Sequence, residues 1–170
     1  MPGSCIFRQL YLKKKIIMKK ILFSFLLVCF YHVSSSQLIY PYQDIKLEKL
    51  SDYKETEPLA LSAATLLLST AFTNKEANRE GALKFLTTWM PGAKEYSFYL
   101  KGKVEAISTD NELLGLFFAA MAKYSLQNKA HATNALTVDI NAAKLVIAYC
   151  DDPKNKFKLK KKYRKVLEEN

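Results

Sequence analysis

The sequence predicts an all-α protein, a compact bundle of four to five helices placed behind an N-terminal export signal. Three observations carry this. Helix-start signals precede apolar runs, the runs are rich in Ala and Leu at helical spacing, and Pro-Gly or Asp-Asp-Pro closes them.

The first 36 residues contain Arg8, Lys13, Lys14, Lys15, Lys19 and Lys20 and no Asp or Glu. After Lys20 an apolar run begins at Ile21, interrupted by Ser24, and it leads into Val33-Ser34-Ser35-Ser36-Gln37. A basic n-region, a short apolar h-region and small residues at Ser34 and Ser36 are the parts of a cleavable secretory signal. Cleavage is expected between Ser36 and Gln37. Ile21 to Val33 supplies 13 residues, short of the ~20 that a spanning helix needs, so an uncleaved membrane anchor is the minor alternative. Met18-Lys19-Lys20 is a compact signal start by itself, and residues 1–17 read as an upstream start or a long n-region. The expected location is the periplasm or the exterior.

Without the signal, 134 residues remain, enough for one domain with a real core. The net charge of +10 falls to +4, and eight of the remaining 20 basic residues lie between Lys154 and Lys165. The body, 37–153, is nearly neutral. Cys5 and Cys29 leave with the signal, and burial is the expected state of Cys150.

Residues 37–55 read as an irregular lead-in with a weak amphipathic piece at Ile45 to Leu50. The helical domain is expected over 56–170. Thr56-Glu57-Pro58 places a capping residue before an acid and a proline, opening the apolar run Leu59 to Phe72. Thr73-Asn74-Lys75-Glu76 reads as a capping box for a second helix that Pro91-Gly92 ends. Tyr96 to Leu100 is read as an extended linker that packs Phe98 and Leu100 on the helices. Thr109-Asp110-Asn111-Glu112 is a further capping box, opening a helix to Gln127. The fourth helix, from Asn134 to Cys150, carries Leu136, Ile140, Ala143, Ile147 and Cys150 on one stripe, and Asp151-Asp152-Pro153 stops it. A basic C-terminal helix is expected over 154–170. Residues 81–90 and 141–150 share a pattern of small, apolar, Lys, aromatic and sulfur residues, so two similar αα-hairpins are an alternative description of the bundle.

The chemistry-bearing residues are few. The exported part has one histidine, His131, and no closely spaced acids with a turn glycine, so no metal and no cofactor are expected. Cys150 and His131 flank one predicted helix, about 25 Å apart at 1.5 Å per residue. No Gly-x-Ser-x-Gly or phosphate-cradling glycine loop occurs, and no catalytic residue is assigned. Trp89 to Tyr96 concentrates aromatic and turn residues, which fits a buried Trp anchoring a helix end, or a pocket. Lys154, Lys156, Lys158, Lys160, Lys161, Lys162, Arg164 and Lys165 form the one pronounced charge cluster. Phe157, Tyr163, Val166 and Leu167 recur roughly at helical spacing, so the tail reads first as a terminal helix packing one stripe on the bundle and showing its lysines to water. Export argues against nucleic acid as its partner; an anionic membrane face or glycan is the alternative that fits.

Trp89, Met90, Gly92, Tyr96, Phe98 and Asn111 to Gly115 make the sequence similar to small exported helical proteins common in Bacteroidetes. Those carry a Trp-Met-x-Gly segment, a Tyr-x-Phe and an Asn-Glu-Leu-Leu-Gly helix. The resemblance implies export and an all-helical fold and transfers no catalytic residues. The expected function is therefore non-catalytic binding of a protein partner in the envelope or outside the cell. The alternative is contact with an anionic surface through the basic tail.

Overall fold

The computed structural model describes residues 42, 44–72 and 77–169, all within the unit Ile39–Asn170. Seven α-helices and no strand occur among them: α1 (Leu50–Glu55), α2 (Glu57–Ser69), α3 (Ala77–Trp89), α4 (Lys103–Ile107), α5 (Asn111–Gln127), α6 (Ala135–Asp151) and α7 (Lys161–Glu168). Single 3₁₀ turns at Met90–Gly92, Lys129–His131 and Pro153–Asn155 follow α3, α5 and α6. The fold is all-α. The expected signal cleavage at Ser36 and Gln37 and the Thr73–Glu76 capping box lie outside the described residues.

The four long helices pack in the spatial order α3–α2–α5–α6, with α7 laid across α4 and α6. Composition explains the order. Helix α2 buries Ala60, Ala63, Ala64 and Leu67, and its small side chains let both neighbours approach. Helix α5 buries ten residues, from Leu113 to Leu126, which suits an element covered on two sides. A Cβ on Gly115 would lie 2.9 Å from Leu83 Cδ2, so the glycine sets the close approach of α5 to α3. The two sequence-similar helix pairs are thus α2–α3 and α5–α6, joined through α2 and α5.

Several local expectations shift. The lead-in is better built than predicted: Tyr42 stacks on Phe85 at 5.7 Å, and Asp52 accepts from the backbone of Glu48 and Lys49 to start α1. Thr56 caps nothing with its side chain; its hydroxyl donates back to the Asp52 carbonyl at 2.6 Å. The α5 cap is Asp110, whose carboxylate accepts from Leu113 N at 3.2 Å, while Thr109 bonds the Tyr163 hydroxyl at 2.9 Å. On α6 the buried stripe is Val138, Ala142, Val146 and Tyr149 together with the expected Ala143, and Leu136 is 65% exposed. The expected helix over 154–170 is a correction. Asp152 caps the Pro153 turn, Lys156 takes φ 56°, residues 157–160 are non-helical, and the helix spans only Lys161–Glu168. Lys-Phe-Lys-Leu-Lys alternates out and in at period two, which an extended chain satisfies and a helix does not.

The C-terminal end of α2 is held by a buried cation. Arg79 on α3 is 6% exposed and donates to the carbonyls of Leu67 (3.1 Å) and Thr70 (3.2 Å) and to the Thr70 hydroxyl (2.6 Å). Its guanidinium also lies over the Phe72 ring at 5.4 Å. From α6, the Tyr149 hydroxyl donates to the Thr70 carbonyl at 2.8 Å, and Asn155 donates to the Tyr149 carbonyl at 2.8 Å. Helix ends leave carbonyls unpartnered, and here one arginine serves them inside the protein. Arg79→Leu removes those donors where water cannot replace them. It is expected to cost about 2–4 kcal/mol in chemical denaturation, and a loss under about 0.5 kcal/mol would contradict this role.

Candidate functional site

The residues Trp89 to Leu100 form a turn and an extended strap between α3 and α4. Trp89, the last residue of α3, is wholly buried and donates its indole N–H to the Tyr53 carbonyl at 2.9 Å. Its ring meets Tyr96 at 5.6 Å and Phe98 at 6.2 Å, and those two rings stack at 6.0 Å. A Cβ on Gly92 would fall 2.1 Å from the Tyr53 ring, so only glycine lets that ring lie against the turn. The strap is tied farther on by Ser97 N donating to the Ala132 carbonyl at 2.9 Å.

A charge network closes one side. The Tyr96 hydroxyl donates to Glu57 Oε1 at 2.6 Å, and Lys129 donates to Glu57 Oε2. Partial burial opposes the charge on Glu57, but these two donors hold its carboxyl below the usual carboxylate range. Burial first, then the bond to Glu57, pushes the Tyr96 phenol up. Lys54 pairs with Glu95 at 3.6 Å on the surface.

Against the other side of the strap lies an open cavity of about 380 Å³. Met90, Ala93 and Tyr96 form its buried lining, and half-buried Phe98 and Phe118 extend it. Thr87, Pro91, Lys94 and Leu100, all exposed, mark the mouth. Leu100 is 62% exposed, so it borders the opening instead of packing on the helices as expected; Phe98 does pack. Lys94 Nζ donates to the Pro91 carbonyl at 3.1 Å. Both readings of this stretch therefore coexist: Trp89 is the buried anchor, and the cavity sits beside it. The Trp-Met-x-Gly and Tyr-x-Phe residues are what build both.

The eight basic tail residues do not form one surface of like character. Lys160 pairs with Asp110 at 2.8 Å, and its hydrogen bond holds the Asp110 carboxyl below the usual range. Arg164 pairs with Asp151 and with Glu168. Lys162 lies over the Tyr163 ring at 4.4 Å. Lys154, Lys156, Lys158, Lys161 and Lys165 are exposed and make no ion pair among the described residues. Tyr163 and Leu167 are buried, so the apolar side of α7 faces the protein.

Sequence reasoning missed two further buried ionic groups. Lys103 opens α4, is 8% exposed, and donates to the carbonyls of Val166 (3.1 Å) and Glu169 at the end of α7. Asp139 on α6 is also 8% exposed, and its Oδ1 meets no donor. Burial pushes that carboxyl up, with the Lys103 charge pulling the other way. Its position beside Val138 on the true α6 stripe was the available signal.

His131 is exposed before α6, and half-buried Cys150 lies at the far end of that helix. No group of three or more His, Cys, Asp or Glu residues that could hold a metal occurs among the described residues. Among the same residues, no helix is long and apolar enough to cross a membrane. Compared with known protein families, curated proteins and solved structures, the chain matches none.

Burial, reinforced by the Asp151 charge, pushes the Cys150 thiol up to about 12. Thiolate is the reactive form, so it is scarce at neutral pH. Alkylation by iodoacetamide at pH 8, followed by mass spectrometry, is expected to be about a hundredfold or more slower than in the urea-unfolded chain. Equal rates in the two states would show that the thiol is not shielded.

Proposed function

We propose that this chain is an exported, non-catalytic binding protein whose binding site is the cavity beside the Trp89 turn. The observation that carries the reading is the cavity itself, about 380 Å³ and lined mainly by Met90, Tyr96, Phe98 and Phe118. Ligand sites are concave, largely apolar and of this size or larger. The surrounding structure holds it open: the indole bond to Tyr53 fixes the turn, and the Glu57 network occupies the Tyr96 hydroxyl so that its ring faces the cavity as an apolar wall. Support for export comes from the N-terminal basic and apolar pattern that ends at Ser36-Gln37. Nile red, a neutral apolar dye, is expected to bind the folded protein in a saturable one-to-one manner. Leu100→Asp at the exposed mouth should weaken it about tenfold without lowering the melting temperature. Unsaturable or absent dye binding overturns the reading.

A second reading has its own observation, the five exposed and unpaired lysines of the tail. They would hold an anionic membrane face by charge, each worth about 1 kcal/mol near such a surface. Because Tyr163 and Leu167 are already buried, the contact is electrostatic and does not use an inserted apolar face. Replacing Lys154, Lys156, Lys158, Lys161 and Lys165 by Gln leaves the core and the α7 pairs intact, unlike removal of the tail. The intact protein is expected to sediment with phosphatidylglycerol vesicles at low salt, and the fivefold variant is not. Failure of the intact protein to sediment overturns this reading.

A further inference from the structure

Resting on the cavity reading, we propose that the site selects amphiphiles with one anionic head, of the alkyl-carboxylate class, over neutral and cationic molecules with the same tail. The argument is one of charge at the mouth and room inside. Among the described residues, Lys94 is the one charged residue of the lining, and no carboxylate lines the cavity. An ammonium has three donors; Lys94 spends one on the Pro91 carbonyl at 3.1 Å, which holds it folded over the turn, and two remain. Two acids on the neighbouring surface, Glu57 and Glu95, already have partners. Glu57 is taken by Tyr96 and Lys129, and Glu95 by Lys54. A cationic head would therefore meet Lys94 uncompensated, a neutral head would gain little, and a carboxylate would complete the ammonium's bonds.

The interior sets the tail. Its larger inner side chains are an unbranched thioether and three aromatic rings, Met90 with Tyr96, Phe98 and Phe118, which suit a flexible apolar chain. At about 30 Å³ for each methylene-sized group, the share a water takes in the liquid, 380 Å³ holds about a dozen such groups. Affinity should therefore rise with chain length, by up to about fourfold for each methylene, and level off near that size. Trp89 is the single tryptophan of the chain and touches both Tyr96 and Phe98, so its emission reports occupancy directly.

The test uses the folded protein, with decanoate, decanol and decyltrimethylammonium below their micelle-forming concentrations, followed by Trp89 emission and by displacement of Nile red. Decanoate is expected to bind about fivefold tighter than decanol, with the cation weakest. Lys94→Met, at an exposed position, should erase the preference of decanoate over decanol, read as the ratio of the two affinities within the variant. If the three bind alike, or if the preference survives Lys94→Met, the head-group assignment is wrong while the cavity reading stands. If Nile red binds and none of the three displaces it or moves the emission, the amphiphile class itself is overturned. If Nile red does not bind either, the cavity reading falls with it.

Discussion

A buried indole has one N–H to place, and the Tyr53 carbonyl is where Trp89 places it. An unmade bond there would cost about 1–3 kcal/mol, so the end of α3 is locked to the end of α1 wherever Trp89 is buried. Much of the site follows from this lock. Tyr53 must lie close to the turn, and Gly92 is the residue that admits its ring. With the turn fixed, Tyr96 and Phe98 land against the indole, and Tyr96 can reach Glu57 at the start of α2. The strap is then tied to the Ala132 carbonyl, and the cavity is bordered by its residues and by Phe118 of α5.

The same logic recurs at helix ends. Arg79 and Lys103 are both nearly buried, and both spend their donors on terminal carbonyls of another helix. A cation at a helix C-terminus meets the negative end of the dipole, so its burial is compensated by backbone and not by a carboxylate. This explains how an all-helical chain of neutral body charge can bury ionic groups without buried ion pairs among its described residues. Asp139 is the exception. Its Oδ1 has no donor, and the nearby Lys103 charge is directed at the α7 carbonyls. The seam of α4, α6 and α7 is therefore less well satisfied than the α2–α3 end.

What was legible in the sequence was what depends on single residues or on period. Pro91-Gly92 and Asp151-Asp152-Pro153 stop helices where expected, because their effect is local and strong. The Asp110 cap shows why positions slip by one: Thr109 and Asp110 both suit a cap, and the choice falls to Asp110 because Tyr163, 54 residues away, takes the Thr109 hydroxyl. The α6 stripe slipped for a related reason. Val138, Ala142 and Val146 keep a helical period as well as Leu136, Ile140 and Ile147 do; packing against α5 selects the smaller side chains, and of the expected stripe Ala143 is buried with them. The cavity was half legible. Aromatic and turn residues at 89–96 announced a built feature, but Phe118 and Leu100 join it only through the fold.

The tail packs its apolar stripe on the bundle, as its helical spacing predicts, although its helix is shorter than expected. Taken alone, an amphipathic basic helix is what binds membrane surfaces with its apolar side. Here Tyr163 and Leu167 are buried, Tyr163 is bonded to Thr109, and Lys103 holds the last carbonyls. Peeling α7 away would expose two core side chains, at about 1.5–3 kcal/mol each, and leave buried Lys103 without acceptors. The exposed lysines gain about 1 kcal/mol each at an anionic surface whether or not α7 is peeled away, so the charge term gives insertion no advantage. Contact from the docked state keeps the charge term without that loss. The geometry therefore separates the two roles of the segment: its apolar residues belong to the core, and five of its lysines remain for the outside.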